Sequence, residues 1–189
     1  DYPVPYDPMS EVDIKKVLDK VYTYLDAVTP AQMINKQTGQ EVTDASNFDT
    51  SYAIKPGDFR LTAYEWGVTY SGMLLAAETS GDTRYSDYVK QRLSFIAKWV
   101  PAIKKKVADG SLKGNYIFRQ PIEPHALDDA GAVCAAMIKA TRSGLNNDLQ
   151  PLIDNLINYI STKEFRLPDG TLARNRPQKN TIWLDDLYM

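Results

Sequence analysis

An all-α fold built from helical hairpins is predicted by three features of this sequence. Amphipathic helical periodicity returns three times, and each time it is followed by a long irregular stretch and then by a segment with little room for a solvated face. These inner segments begin near Leu61, Leu127 and Trp183, a spacing of about 60 residues. Strand-like patterning is confined to one short run near the C-terminal end. Outer helix, long loop and buried helix, repeated, is the plan of an (α/α) toroid, and three such hairpins make an arc of one. The chain stops inside the third inner helix, so the expectation is a single catalytic-type α/α domain over residues 1–189, incomplete at its C-terminus.

Residues 1–9 are rich in Pro and Tyr and read as an extended lead-in. Ser10 with Asp13 then resembles a capping box, and Val12, Ile14, Val17, Leu18, Val21, Tyr22 and Leu25 recur at helical spacing, which predicts an outer helix over 10–28. From Pro30 to Phe59 the periodicity vanishes apart from a turn at Lys36-Gln37-Thr38-Gly39-Gln40. A loop that long inside a compact domain points to a role in building a site. Leu61 to Thr79 carries Tyr64, Trp66, Val68, Tyr70, Met73, Leu74 and Leu75 with small Gly67, Gly72, Ala76 and Ala77, the composition of a helix enclosed on most sides.

Ser80-Gly81-Asp82 ends that helix and restarts the chain. Tyr85, Tyr88, Val89, Leu93, Ile96, Trp99, Val100 and Ile103 form the second outer helix, and Lys104-Lys105-Lys106 suits its negative dipole end. A second long loop, Gly110 to His125, holds Tyr116, Phe118, Arg119, Pro121 and Pro124. It leads to Asp128-Asp129 and to a small-residue helix that ends near Ser143-Gly144. Leu149, Leu152, Ile153, Leu156, Ile157 and Ile160 mark the third outer helix, and Phe165 to Arg174 reads as a hairpin around Pro168-Asp169-Gly170.

Composition narrows the function classes. The 189 residues are 43% hydrophobic, enough for one substantial core, and the formal charge of −2 supplies no broad basic field for nucleic acid or for an anionic membrane. No apolar run approaches the roughly 20 residues that a membrane span needs. The start at Asp1 rather than Met is read as a removed or trimmed leader, and a periplasmic or secreted location is expected. The single cysteine, Cys134, lies in an apolar helical stretch and is read as core rather than as a catalytic thiol. With one histidine, His125, no metal site is expected, and no cofactor.

Two acidic doublets carry the chemical interest: Leu127-Asp128-Asp129-Ala130-Gly131 and Trp183-Leu184-Asp185-Asp186-Leu187-Tyr188-Met189. Each opens an inner helix. Aspartates there are favoured simply because they satisfy free N–H groups and the positive end of the dipole. Their recurrence at matching places in successive repeats is what points beyond capping.

The second of these stretches, preceded by Arg176-Pro177 and Thr181, resembles the central motif of the unsaturated rhamnogalacturonyl hydrolases, glycoside hydrolase family 105, and of the related unsaturated glucuronyl hydrolases of family 88. Leu127-Asp128-Asp129-Ala130-Gly131 resembles their Asp-x-Gly motif, Thr79-Ser80-Gly81-Asp82 with Tyr85 their interhelix turn, and Glu65-Trp66-Gly67 their first inner helix. The resemblance implies the N-terminal three hairpins of an (α/α)6 barrel. It implies Asp185 as general acid and base, with Asp129 as its partner, and a substrate whose non-reducing end is an unsaturated uronate, as in pectin degradation. The family's other substrate-contacting histidine, arginine and tryptophan belong to the second half of the barrel.

Under this reading Asp129 and Asp185 are expected within interaction distance, since carboxylates whose environments separate their pKa values form an acid and base pair. Trp183 and Trp66 offer apolar faces for sugar rings. Arg174 and Arg176 are candidates for bidentate uronate binding, and His125 is a candidate at the rim. Rival readings are an α/α-toroid polysaccharide lyase, an ordinary hydrolase, and a non-catalytic carbohydrate-binding scaffold in which the aspartates only cap. Asp185→Asn separates the scaffold from the enzymes, because binding survives and there is no turnover to lose.

Overall fold

A computed structural model describes residues 8–145 and 148–189, so most of the expected lead-in lies outside the described residues. The fold is all-α apart from one small ribbon. The outer helices are α1 (Glu11–Val28), α3 (Thr83–Ala108) and α6 (Gln150–Thr162); the inner helices are α2 (Tyr64–Ser80), α5 (Leu127–Arg142) and α7 (Leu184–Tyr188). A four-residue helix, α4 (Arg119–Ile122), interrupts the second long loop. No helix among the described residues is long and apolar enough to cross a membrane.

Local chemistry sets the helix ends. Ser10 Oγ accepts the Asp13 N–H at 3.2 Å and donates to the Asp13 carboxylate at 2.6 Å, closing the first turn of α1. Gly81, at φ 70°, takes the left-handed conformation that ends α2, and the Asp82 side chain caps α3 through the Arg84 N–H. The turn before the third repeat forms as expected: the Gly170 N–H donates to the Leu167 carbonyl at 2.9 Å, with Gly170 at φ 91°. Around it the pairing is limited to isolated bridges, Arg166 with Leu172 and Arg174 with Thr181.

The first long loop is more ordered than its sequence predicts. Met33–Asn35 (β1) and Tyr52–Ile54 (β2) pair antiparallel, Met33 opposite Ile54. The Asn35 side chain accepts from the Gln37 and Thr38 N–H groups, fixing the turn between them. Met33 anchors this ribbon in the core, and Phe48 and Tyr52 set their ring edges against Trp99 of α3.

The core lies between the inner and outer layers, where Tyr70 and Leu74 meet Tyr88, Leu93, Ile96, Val133, Met137 and Leu156. Cys134 is buried there, and burial pushes its thiol up to about 11, so it stays a neutral core residue near neutral pH. Helix α1 is peripheral. Leu18, Tyr22 and Leu25 pack partly covered against the core, while Val12, Ile14, Val17 and Val21 stay exposed. What docks it is polar: Lys15 pairs with Asp82, Arg84 with Asp19, and buried Arg92 with Asp26.

Candidate active site

Two glycines allow the inner helices to touch. A Cβ on Gly67 would lie 2.3 Å from the Ala132 carbonyl carbon, and one on Gly131 would lie 2.3 Å from the Met189 carbonyl oxygen. Contacts along the helices give their direction. Tyr64 meets Asp129, Gly67 meets Ala132, and the Lys139 ammonium reaches the Ser71 carbonyl, so α2 and α5 run parallel. Arg174 pairs with both Asp186 and Asp128, and Gly131 meets Met189, so α7 runs parallel to α5 as well. The two acidic doublets therefore stand in register at the same end of neighbouring inner helices.

Within each doublet the aspartates differ. Asp128 Oδ1 accepts the Asp129 N–H at 2.8 Å, and Asp129 Oδ1 accepts the Tyr64 N–H at 2.8 Å, capping α2 from the next helix. Burial holds the Asp129 carboxyl above the usual carboxylate range. The Tyr64 N–H opposes this, and the Asp128 charge reinforces it. In the second doublet Asp186 is buried and bound by both ends of the Arg174 guanidinium, one arm at 2.7 Å. Asp185 is exposed in the first turn of α7, and its charge bears on Arg174. The charges that act on Asp129 are Asp128, Arg60 and Glu65.

Two hollows meet at this end of the arc. A cleft of about 440 Å³ separates residues 54–63 from residues 115–125, with Asp129 in its wall. A smaller one of about 90 Å³ is lined by Asp128, Arg174, Arg176, Trp183 and Asp186, and His125 borders both. His125 is exposed, and its backbone carbonyl accepts from Arg176 at 2.7 Å. Trp183 is 41% exposed, with the Arg174 guanidinium 3.7 Å from its ring centroid. Arg174 thus spends its donors on Asp186 and its face on Trp183.

Trp66 is a correction to the sequence reading. It is 4% exposed, its indole N–H donates to the Tyr88 hydroxyl at 3.2 Å, and Phe59 stacks on it at 4.7 Å between centroids. The ring offered to the cleft is Phe59, which stacks over Trp66. Phe59, Arg60, Tyr116, Arg119 and Gln120 line the cleft without having been singled out as site residues. The one signal available was their position in the two long loops. Among the described residues no group of three His, Cys, Asp or Glu side chains comes together as a metal site would require.

Parallel inner helices with acidic first turns beside a cleft, backed by a layer of outer helices, define an all-α arc of helical hairpins of the (α/α) toroid type. The chain matches the family model of Glycosyl Hydrolase Family 88 over residues 24–189 and belongs to that family. No curated protein matches it.

Proposed function

We propose that the protein releases an unsaturated uronic acid from lyase-generated oligosaccharides by hydrating its C4=C5 double bond. The observation that carries this reading is the register of the two doublets, which puts Asp129, in the wall of the larger cleft, and the exposed Asp185 in the first turns of adjacent parallel helices. Family membership supplies the glycoside hydrolase class. The galacturonyl-rhamnose preference of the related rhamnogalacturonyl enzymes is the finer part of the proposal. A polymer-derived substrate of this kind goes with a periplasmic or secreted location.

In this reaction Asp185, as the acid, delivers its proton to C4, and positive charge develops at C5 and the ring oxygen. The carboxylate so formed takes a proton from water as the water oxygen bonds to C5. The C5 hemiketal then opens, and the hemiacetal left at C1 releases the aglycone. No displacement at the anomeric carbon is involved, which separates this route from paired-carboxylate glycoside hydrolysis. Asp129, held above the usual carboxylate range by burial, is the partner carboxyl. Arg174 keeps Asp186 and Trp183 in place beside them.

The burial of Asp129 favours a second assignment, in which Asp129 holds the proton and Asp185 receives that of water. Ultraviolet absorbance of the enol ether in unsaturated galacturonyl-rhamnose tests both. Loss of absorbance that disappears with Asp185→Asn supports the reaction. If only Asp129→Asn removes the alkaline limb of the pH profile, the proton belongs to Asp129. An unchanged absorbance with the unmutated protein would count against hydration altogether.

A further inference from the structure

The cleft contains polar groups that the fold leaves without partners. Gln120 is 8% exposed, its amide nitrogen reaches the Ala126 carbonyl at 3.4 Å, and its Oε1 has no hydrogen-bond partner among the described residues. The same holds for Arg119 Nε, whose ion-pair partner Glu123 lies 3.6 Å away and beyond hydrogen-bond range, while the Tyr116 hydroxyl beside them interacts with the Glu123 carboxylate. Buried polar atoms without partners cost free energy unless something else satisfies them, and Gln120 and Arg119 line one cleft.

The backbone aims them. Phe118, packed edge-on against Phe95, is held at φ 56° and ψ 27°, a left-handed conformation that a phenylalanine rarely adopts. This turns the chain directly before Arg119 and Gln120. Such strain in a residue that itself faces the core is characteristic of segments that position a binding group. Opposite them the 54–63 stretch supplies Phe59, 43% exposed, and Arg60.

We propose that this cleft is the subsite for the carboxylate-bearing sugar ring, with Arg119 and Arg60 holding its carboxylate, Gln120 Oε1 accepting from a ring hydroxyl and Phe59 lying against the apolar face of the ring. The assignment rests on the hydration reading for the identity of the sugar. It moves carboxylate recognition away from Arg174, which Asp186 already occupies. An arginine suits the task because its fixed fork matches a carboxylate, and Gln120 rejects a ring that lacks the donor it needs.

The test is calorimetric binding of unsaturated galacturonyl-rhamnose, which has one carboxylate, and of its methyl ester, to the unmutated protein and to Arg119→Gln, Arg60→Gln and Gln120→Leu. The acid should bind more tightly than the ester. Either arginine change should weaken binding of the acid by about 10-fold and leave the ester unaffected, since a charge-assisted contact is removed. Gln120→Leu should weaken both alike. Arg119→Lys, which keeps the charge, should restore part of the preference.

An acid-to-ester ratio that is the same in all forms overturns the subsite. Binding that follows this pattern while no form removes the enol-ether absorbance keeps the subsite and sinks the hydration reading. Turnover and binding intact in Arg119→Gln and Gln120→Leu sink the subsite and keep the reaction. An unmutated protein that neither binds nor turns over the disaccharide sinks both.

Discussion

Asp129 Oδ1 accepts the backbone N–H of Tyr64 at 2.8 Å, so one of the two carboxyls proposed for catalysis also begins the neighbouring helix. Helix α2 has no capping side chain of its own, because Ala63 stands at its N-cap. The cap and the proposed partner carboxyl are one residue with two demands on it, and the demands conflict in charge. An ionised carboxylate makes the stronger cap, whereas burial disfavours ionisation.

Replacing Asp129 by Asn tests that conflict. The amide oxygen can still accept from Tyr64 and carries no charge to desolvate. The folded pKa is raised, so the folded state binds the proton more readily than the unfolded one. Stability associated with Asp129 is therefore fully present below the ordinary aspartate pKa and is lost as pH rises through the folded value. Asp129→Asn should unfold at an equal or higher temperature than the unmutated protein at pH 7 and lose that advantage at pH 3, with activity down by about 10²-fold or more. Asp129→Ala should be less stable at both pH values, because the cap goes with the charge. Thermal unfolding by circular dichroism at the two pH values decides it.

These dual roles mark where the sequence stopped being legible. Ser10 with Asp13, Gly81 with Asp82 and Pro168-Asp169-Gly170 could be read because each acts within a few residues of itself. The doublets could be read because their recurrence follows the repeat. Trp66 could not, because a helix that is apolar nearly all round does not say which ring ends under a loop residue such as Phe59. The β1–β2 ribbon was missed because its strands are three residues each and draw their stability from Met33, Phe48 and Tyr52 packing on distant partners. The proposed role of Gln120 depends on the left-handed turn at Phe118, a position where phenylalanine, unlike glycine or asparagine, gives no sign of such a turn.

Two glycines in one helix should respond with opposite signs. Gly67 faces α5, where an added methyl would sit 2.3 Å from backbone atoms of Ala132 that cannot swing away. Gly67→Ala should cost about 1–3 kcal/mol or more through forced separation of the inner helices. Gly72 is exposed with nothing within 4 Å, and the same change there should stabilise by about 1 kcal/mol through helix propensity alone. Denaturant unfolding of both variants makes the comparison.

Arg92 is the pin between α1 and α3. It is 1% exposed; its Nε reaches Thr29 at 3.0 Å, its Nη2 reaches Asp26 at 3.0 Å, and its guanidinium lies 3.6 Å from the Tyr88 ring centroid. Asp26→Ala removes one acceptor of several and should cost about 1–3 kcal/mol. Arg92→Ala removes the whole hub and leaves a cavity, so it should cost more than Asp26→Ala. Because Thr29 and the Tyr88–Trp66 bond share this network, the double variant should cost less than the sum of the two singles. Additive losses in a double-mutant cycle would show that the contacts act separately.

Arg174 is the corresponding pin for α7. Asp186 keeps 6% of its side-chain surface in water, and its compensating charge is Arg174, itself 21% exposed. Breaking a buried pair from one side strands the other charge, typically at about 3–5 kcal/mol, and the partial exposure of Arg174 places this pair at the lower end. Arg174→Gln should therefore destabilise chiefly the 172–189 segment, detected as faster amide exchange there with the α2–α5 core unchanged. It should also free Trp183, whose ring the guanidinium covers, and shift its fluorescence. Asp186→Asn keeps the shape and removes the stranded charge, so Arg174→Gln combined with Asp186→Asn should recover most of the loss. If the single variant instead lost binding of the uronate with no change in exchange near α7, Arg174 would be a substrate contact, and carboxylate recognition would return to it from Arg119 and Arg60.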